Sequence, residues 1–209
     1  MFGFFKKKKG IVPTDKVLRT SLEKTKLLLS DITTYLNAQQ PVCVLYYFRD
    51  SKEELEKLFE DNEISYSESG SRMFSKSVLI LSAKEASRSI RYQSEIKQHA
   101  DKNNAKILFA EHYPVFSTEN KFIETISTSF ENKPEICFYV SLQEPLLATF
   151  SSEKIILILD KMGYKEGGII QHKMISKSII KIQKKVEEYI SVENEADSAQ
   201  QWFERNPIV

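Results

Sequence analysis

The chain has 209 residues, enough for one α/β domain with an appendage or for two small domains. Its 30 basic residues are balanced by 29 acidic ones, which argues against nucleic-acid binding driven by overall charge. The two cysteines, Cys43 and Cys137, each lie inside an apolar run and read as buried thiols of a cytoplasmic protein; no apolar run approaches the ~20 residues that a membrane-spanning helix needs.

The first thirteen residues read as a basic tail. Phe2, Phe4 and Phe5 precede Lys6, Lys7, Lys8 and Lys9. That order and length are wrong for a secretory signal. Two readings stand: a solvated tail, or a weak, salt-sensitive peripheral contact with the inner membrane. In the second, the aromatic rings enter the interfacial zone and the lysines meet anionic headgroups, at about 1 kcal/mol per basic residue.

Residues 14–39 read as one long helix, with Thr14 and Asp15 as cap-type residues and Leu18, Leu22, Leu29, Ile32 and Leu36 at three- to four-residue steps. Pro41 ends it. The run PVCVLYYF at 41–48 is apolar throughout and suits an interior parallel strand. Ser51 then opens a helix, with Glu54 completing a capping box and Leu55, Leu58 and Phe59 facing inward. A short edge strand follows at 64–67, then a strand at 77–82 and a long polar helix at 83–103. Residues 105–113 are a strand running into a loop. Ser117 caps a helix that puts Phe122, Ile123 and Ile126 inward, and the last strand is at 135–141. This alternation predicts a mostly parallel sheet with helices on both faces. Beyond 141 the chain reads as helical. Pro145 suits a first turn, and the helix from Lys173 carries Ile175, Ile179, Ile182, Val186 and Ile190 on one stripe, continuing toward Trp202.

Within 141–188 the order and spacing of Ser141, Leu142, Glu144, Leu146, Phe150, Met162, Gly163, His172, Lys173, Met174, Ile175, Ser176, Lys177, Gln183, Lys184, Lys185, Val186 and Glu187 resemble SecA, the ATP-driven motor of bacterial preprotein export. Upstream, Gln39-Gln40-Pro41-Val42 is similar to that family's Gly-Gln-Pro-Val strand entry. Glu111-His112 keeps two residue types of its Thr-Glu-Arg-His strand end. The resemblance covers about 20–190. It implies a RecA/helicase-like domain at 14–141, the counterpart of the motor's second nucleotide-binding domain, and a helical extension at 142–209.

The departures bear on chemistry. Where the family has Met-Ala-Gly-Arg-Gly-Thr-Asp, this chain has Ser82-Ala83-Lys84-Glu85-Ala86-Ser87. Where it has Gln-x-x-Gly-Arg-x-Gly-Arg, residues 117–133 contain neither arginine nor glycine. Those arginines and loop amides would stabilise charge on a transferring phosphate. The sequence also lacks Gly-x-x-x-x-Gly-Lys-(Ser/Thr).

The remaining candidates are few. Glu111 and His112 fall at a strand end, where parallel sheets place ligands, and form the candidate ligand site. His99 reads as solvated and His172 as a capping or packing residue. Three scattered histidines suggest no metal site. Gly167-Gly168 follows no strand and reads as a link. Arg88 and Arg91 read as a solvated helix face. The expectation is therefore a degenerate ATPase relative without cofactor or catalytic residue. It would be cytoplasmic or peripheral to the inner membrane and would bind a protein partner of the export machinery; the stripe of Ile175, Ile179, Ile182 and Val186 would lie against that partner or against the rest of the chain. The alternative is a nucleotide- or small-ligand-binding half of a composite ATPase.

Overall fold

Four apolar runs build the centre of the molecule, a computed structural model that describes residues 12–68, 77–88, 105–129, 134–149, 164, 168–171 and 173–208. They are Val42–Tyr46 (β2), Val78–Ser82 (β4), Lys106–Phe109 (β5) and Glu135–Ser141 (β6). Thr14–Leu18 (β1) and Tyr66–Ser67 (β3) complete one six-stranded sheet in the order β1-β6-β5-β2-β4-β3. Every neighbouring pair is parallel. The helices are Ser21–Asn37 (α1), Arg49–Asp61 (α2), Ala83–Arg88 (α3), Phe116–Ser129 (α4), Pro145–Ala148 (α5), Lys173–Tyr189 (α6) and Ala199–Arg205 (α7). The fold is the expected α/β architecture, a parallel sheet with helices on both faces.

Alternate strand residues face opposite sides, so each strand feeds two cores. Val42, Val44, Val78, Ile80 and Tyr139 meet Leu28 and Ile32 of α1 and Leu55 and Phe59 of α2. Leu45, Leu81, Phe109, Phe138 and Val140 meet Phe122 of α4, Ile179, Ile182 and Val186 of α6, and Trp202 of α7. Cys43 joins the second core and Cys137 the first. Both thiols are buried and free, as expected.

Four expectations need correction. Residues 14–18 are not the first turns of a helix but a strand, because their backbone groups pair along β6, from Thr14 beside Cys137 to Leu18 beside Ser141. An antiparallel bridge from Ile170 covers the other side of β1 at Val17. Leu22, placed on the inward stripe by spacing, is 64% exposed. Helix α1 instead starts after Thr20, whose Oγ1 accepts from the Glu23 amide at 3.2 Å while Glu23 Oε2 accepts from the Thr20 amide at 3.0 Å. Thr20→Ala removes this capping box and should cost about 1 kcal/mol in urea denaturation; an unchanged midpoint would show that the cap is idle.

Second, Ser51 does not cap α2. The N-cap position belongs to Phe48, which has no side-chain cap. Ser51 turns its hydroxyl to Glu111. Third, α6 stops at Tyr189, and Trp202 sits on a separate helix capped by Ser198, whose side chain accepts from the Gln201 amide. Fourth, of the two occupants open to the α6 stripe, a partner or the rest of the chain, it is the rest of the chain that covers it. Ile179, Ile182 and Val186 are buried in the chain's own core, with Ile175 packed against it. Of the helix expected at 83–103, only α3 is described; His99 and Arg91 and the side chain of Arg88 lie outside the described residues, as do Phe2, Phe4, Phe5, Lys6, Lys7, Lys8, Lys9, Gly167, His172 and the side chain of Ile126.

Candidate functional site

In a parallel sheet all strands deliver their C-terminal ends to one rim, and ligands of open α/β folds gather there. The loop 110–115 leaves β5 at this rim and carries both expected site residues. The structure sends them in opposite directions. Glu111 accepts from the amides of Tyr47 at 2.6 Å and Phe48 at 3.3 Å, and from the Ser51 hydroxyl. It thereby caps the start of α2 from the loop after β5, where a helix dipole favours a carboxylate. Burial pushes its carboxyl above the usual range, opposed by the Ser51 bond, the Lys24 charge and the Tyr47 amide.

Beside it, Lys24 of α1 bonds the Ala110 carbonyl at 3.0 Å and the Glu144 carboxylate at 2.8 Å. Burial works against the Lys24 charge, but Glu144 outweighs it and holds the ammonium above its ordinary value. The Ser141-Leu142-Gln143-Glu144 run closes the same knot. Glu144 accepts from the Ser141 amide at 3.0 Å, and Gln143 Oε1 accepts from the Ser21 amide at 2.9 Å. Residues whose order suggested a site therefore tie the end of β6 to the start of α1.

His112 turns instead onto the face that carries α4 and α6. Its ring stacks on Phe138 at 4.1 Å and 7°. Nδ1 lies 3.0 Å from both carboxylate oxygens of Glu119, and Nε2 lies 3.2 Å from Asp15 Oδ1. The second contact is an ion pair that lacks hydrogen-bond geometry. Burial opposes a charged ring here, yet Glu119 and Asp15 raise the pKa to about 10. The ring is thus an imidazolium at neutral pH. Asp15 is displaced the other way: burial would raise its carboxyl, but His112 holds it below the usual range, with a further bond from Ser176. The Tyr113 amide donates to Glu119 at 2.9 Å. All three side chains are buried.

The sequence reading missed Asp15 and Glu119. A signal existed for Glu119, which precedes Phe122 and Ile123 by three and four residues and so falls on the buried stripe of α4. A charge at such a position demands a partner.

The crevice outside the rim measures about 240 Å³ and touches Lys24, Ser51, Glu111, Glu144 and, from the C-terminal segment, Gln200 and Phe203. Helix α7 lies across its mouth. Trp202 is fully buried with its ring edge-on to Tyr113 at 6.2 Å, and the Asp50 amide donates to the Asp197 carbonyl at 3.0 Å. The rim is therefore acidic and internally paired, and the chain's own C-terminal helix narrows it. Phosphate groups would meet Glu111 and Glu144 there, while the cation they need, Lys24, is already engaged. A larger cavity of about 460 Å³ lies between β1, α4 and α6.

Helix α6 shows what the C-terminal motif does. Gln183 is buried and its Nε2 donates to the Tyr113 carbonyl at 2.8 Å. Glu187 accepts from the Ser117 amide at 3.3 Å. These bonds lash α6 to the loop that carries His112 and to the start of α4.

No protein-family model matches the chain. It is 28% identical over 183 residues to the protein translocase subunit SecA of Bacteroides thetaiotaomicron, covering 83% of this chain and 16% of that protein. The SecA subunit of Bacteroides fragilis is 27% identical over the same span. That of Chlorobaculum tepidum is 52% identical over 54 residues, 26% of this chain and 5% of its own length. The chain thus spans about a sixth or less of these relatives. Among solved structures, the C-terminal part of the Fun30 ATPase domain superposes with a TM-score of 0.42 at 13% identity, covering 77% of this chain and 52% of that one.

Proposed function

We propose that this homologue of the SecA translocase subunit serves bacterial protein export as a non-catalytic module that binds a protein partner. The observation that carries the reading is the state of the C-terminal rim. Glu111 is consumed as a cap for α2, Lys24 is paired with Glu144, and α7 lies over the crevice. The sequence adds that the arginine- and glycine-bearing loops of the motor have no counterpart at 82–87 or 117–133. The cytoplasm is the setting that suits the free thiols of Cys43 and Cys137.

Purified protein should therefore hydrolyse no ATP above background. Losing one transition-state donor costs ~10²–10³ in rate, and several are missing together. Turnover that survives purification and disappears in Glu111→Gln would overturn the reading. A titration with ATP and ADP separates the alternative, a nucleotide-binding half of a composite ATPase. Saturable micromolar binding without turnover would favour that alternative. Export is tested by recovery of translocase subunits on the tagged chain from cells of the source organism, and their absence would count against it.

A further inference from the structure

The cavity between β1, α4 and α6 is used by neither the rim nor the proposed export role. Its volume of about 460 Å³ falls within the roughly 300–1,000 Å³ of small-molecule pockets. Phe116, Ile123, Phe138 and Ile180 supply an apolar wall. Val12 and Ile180 belong to the few large apolar side chains left exposed, and both border this cavity. Exposed apolar surface gathered around one concavity marks a place where something apolar binds.

Charge selects the occupant. Asp15, His112 and Glu119 lie at the floor, paired with one another and carrying one net negative charge between them while His112 is protonated. An anion is repelled there. At the mouth stand Lys173 and Lys177, one turn apart on α6 and both exposed. Among the described residues neither lysine has an ion-pair partner. Lys184, two turns further along the helix, is instead engaged over the Phe116 ring at 4.6 Å. The cavity therefore has an apolar wall, a negative floor and a positive lip.

We propose that this cavity binds a small single-chain amphiphile, its apolar body against Phe116, Phe138 and Ile180 and its terminal carboxylate between Lys173 and Lys177. Decanoate is a suitable probe. Isothermal titration of the full chain should show saturable one-to-one binding of decanoate. Acetate should show none, and decylamine, with a tail of the same length and the opposite charge, should bind at least about tenfold more weakly. The double variant Lys173→Ala, Lys177→Ala should lose about tenfold in decanoate affinity. Ile180→Trp should abolish binding by filling the cavity. All three substitutions are at exposed positions, and an unchanged melting temperature confirms that each variant is folded. Equal affinity for decylamine and decanoate would overturn the charge assignment. Full affinity in Ile180→Trp, or no saturation with decanoate by about 1 mM, would overturn the site.

Discussion

Replacing Trp202 with alanine should lower the unfolding free energy by about 3–5 kcal/mol, the range for deleting a fully buried large aromatic side chain. Trp202 has no exposed surface. Its ring meets Tyr113 at 6.2 Å and Phe203 at 5.1 Å, and its Nε1 donates to Glu193 at 3.0 Å. Truncation empties that space and strips Glu193 of its donor. Helix α7 has only seven residues, too few to hold together without tertiary contacts. The substitution should therefore also free α7 from the rim. The chain has a single tryptophan, so unfolding is followed by circular dichroism. A denaturation midpoint within error of the parent would show that α7 does not depend on its anchor.

His112→Leu should be comparably damaging, at about 3–5 kcal/mol, because it leaves Asp15 and Glu119 buried without their counter-charge. The parent also carries a signature in pH. The ring's folded pKa is about 10 against 6.5 for the unfolded chain. Its stabilisation is complete below 6.5 and is lost as pH rises toward about 10. In that window the folded state holds a proton that the unfolded chain has released. Stability should fall there by up to about 1.4 kcal/mol per pH unit. Asp15 acts on the acid side: its folded pKa lies below 3.8, so its contribution is present above 3.8 and fails as pH drops further. Urea denaturation from pH 6 to 10 measures the alkaline slope, which should be shallower in His112→Leu. Parallel slopes in parent and variant would mean that His112 is not the group being titrated.

The parallel sheet was legible because its central strands are buried on both faces and so read as unbroken apolar runs, as in VCVLY and ICFYV. The edge strand β1 was not. Asp15 is charged yet buried, and Leu18 stands four residues before Leu22, which imitates helical spacing. Only pairing with β6 and an ion pair to His112 decide the matter, and both partners lie some hundred residues away. Glu111 and His112 were correctly placed at a strand end. That they diverge, one to a helix start and one to a buried ion cluster, depends on the Ser51 and Glu119 side chains that meet them in space. The role of α7 escaped for a similar reason: its Trp202 is an isolated apolar residue in a polar stretch, and its value comes from the Tyr113 and Phe48 core it meets.

The position of β1 also constrains how the chain is made. Thr14 bonds the Ile136 carbonyl, 122 residues further on, and among the described residues β1 pairs with no strand but β6, with one bridge to Ile170 on its other side. At roughly 5–20 residues per second on the ribosome, the first strand must wait on the order of ten seconds for its partner to emerge. During that interval β2, β4 and β5 can assemble without it, while Val17 and Leu18 wait for the strand they pair with. The strand synthesised before the other five is thus one whose partner emerges last, and it is there that a chaperone or a neighbouring nascent chain would find an unpaired edge.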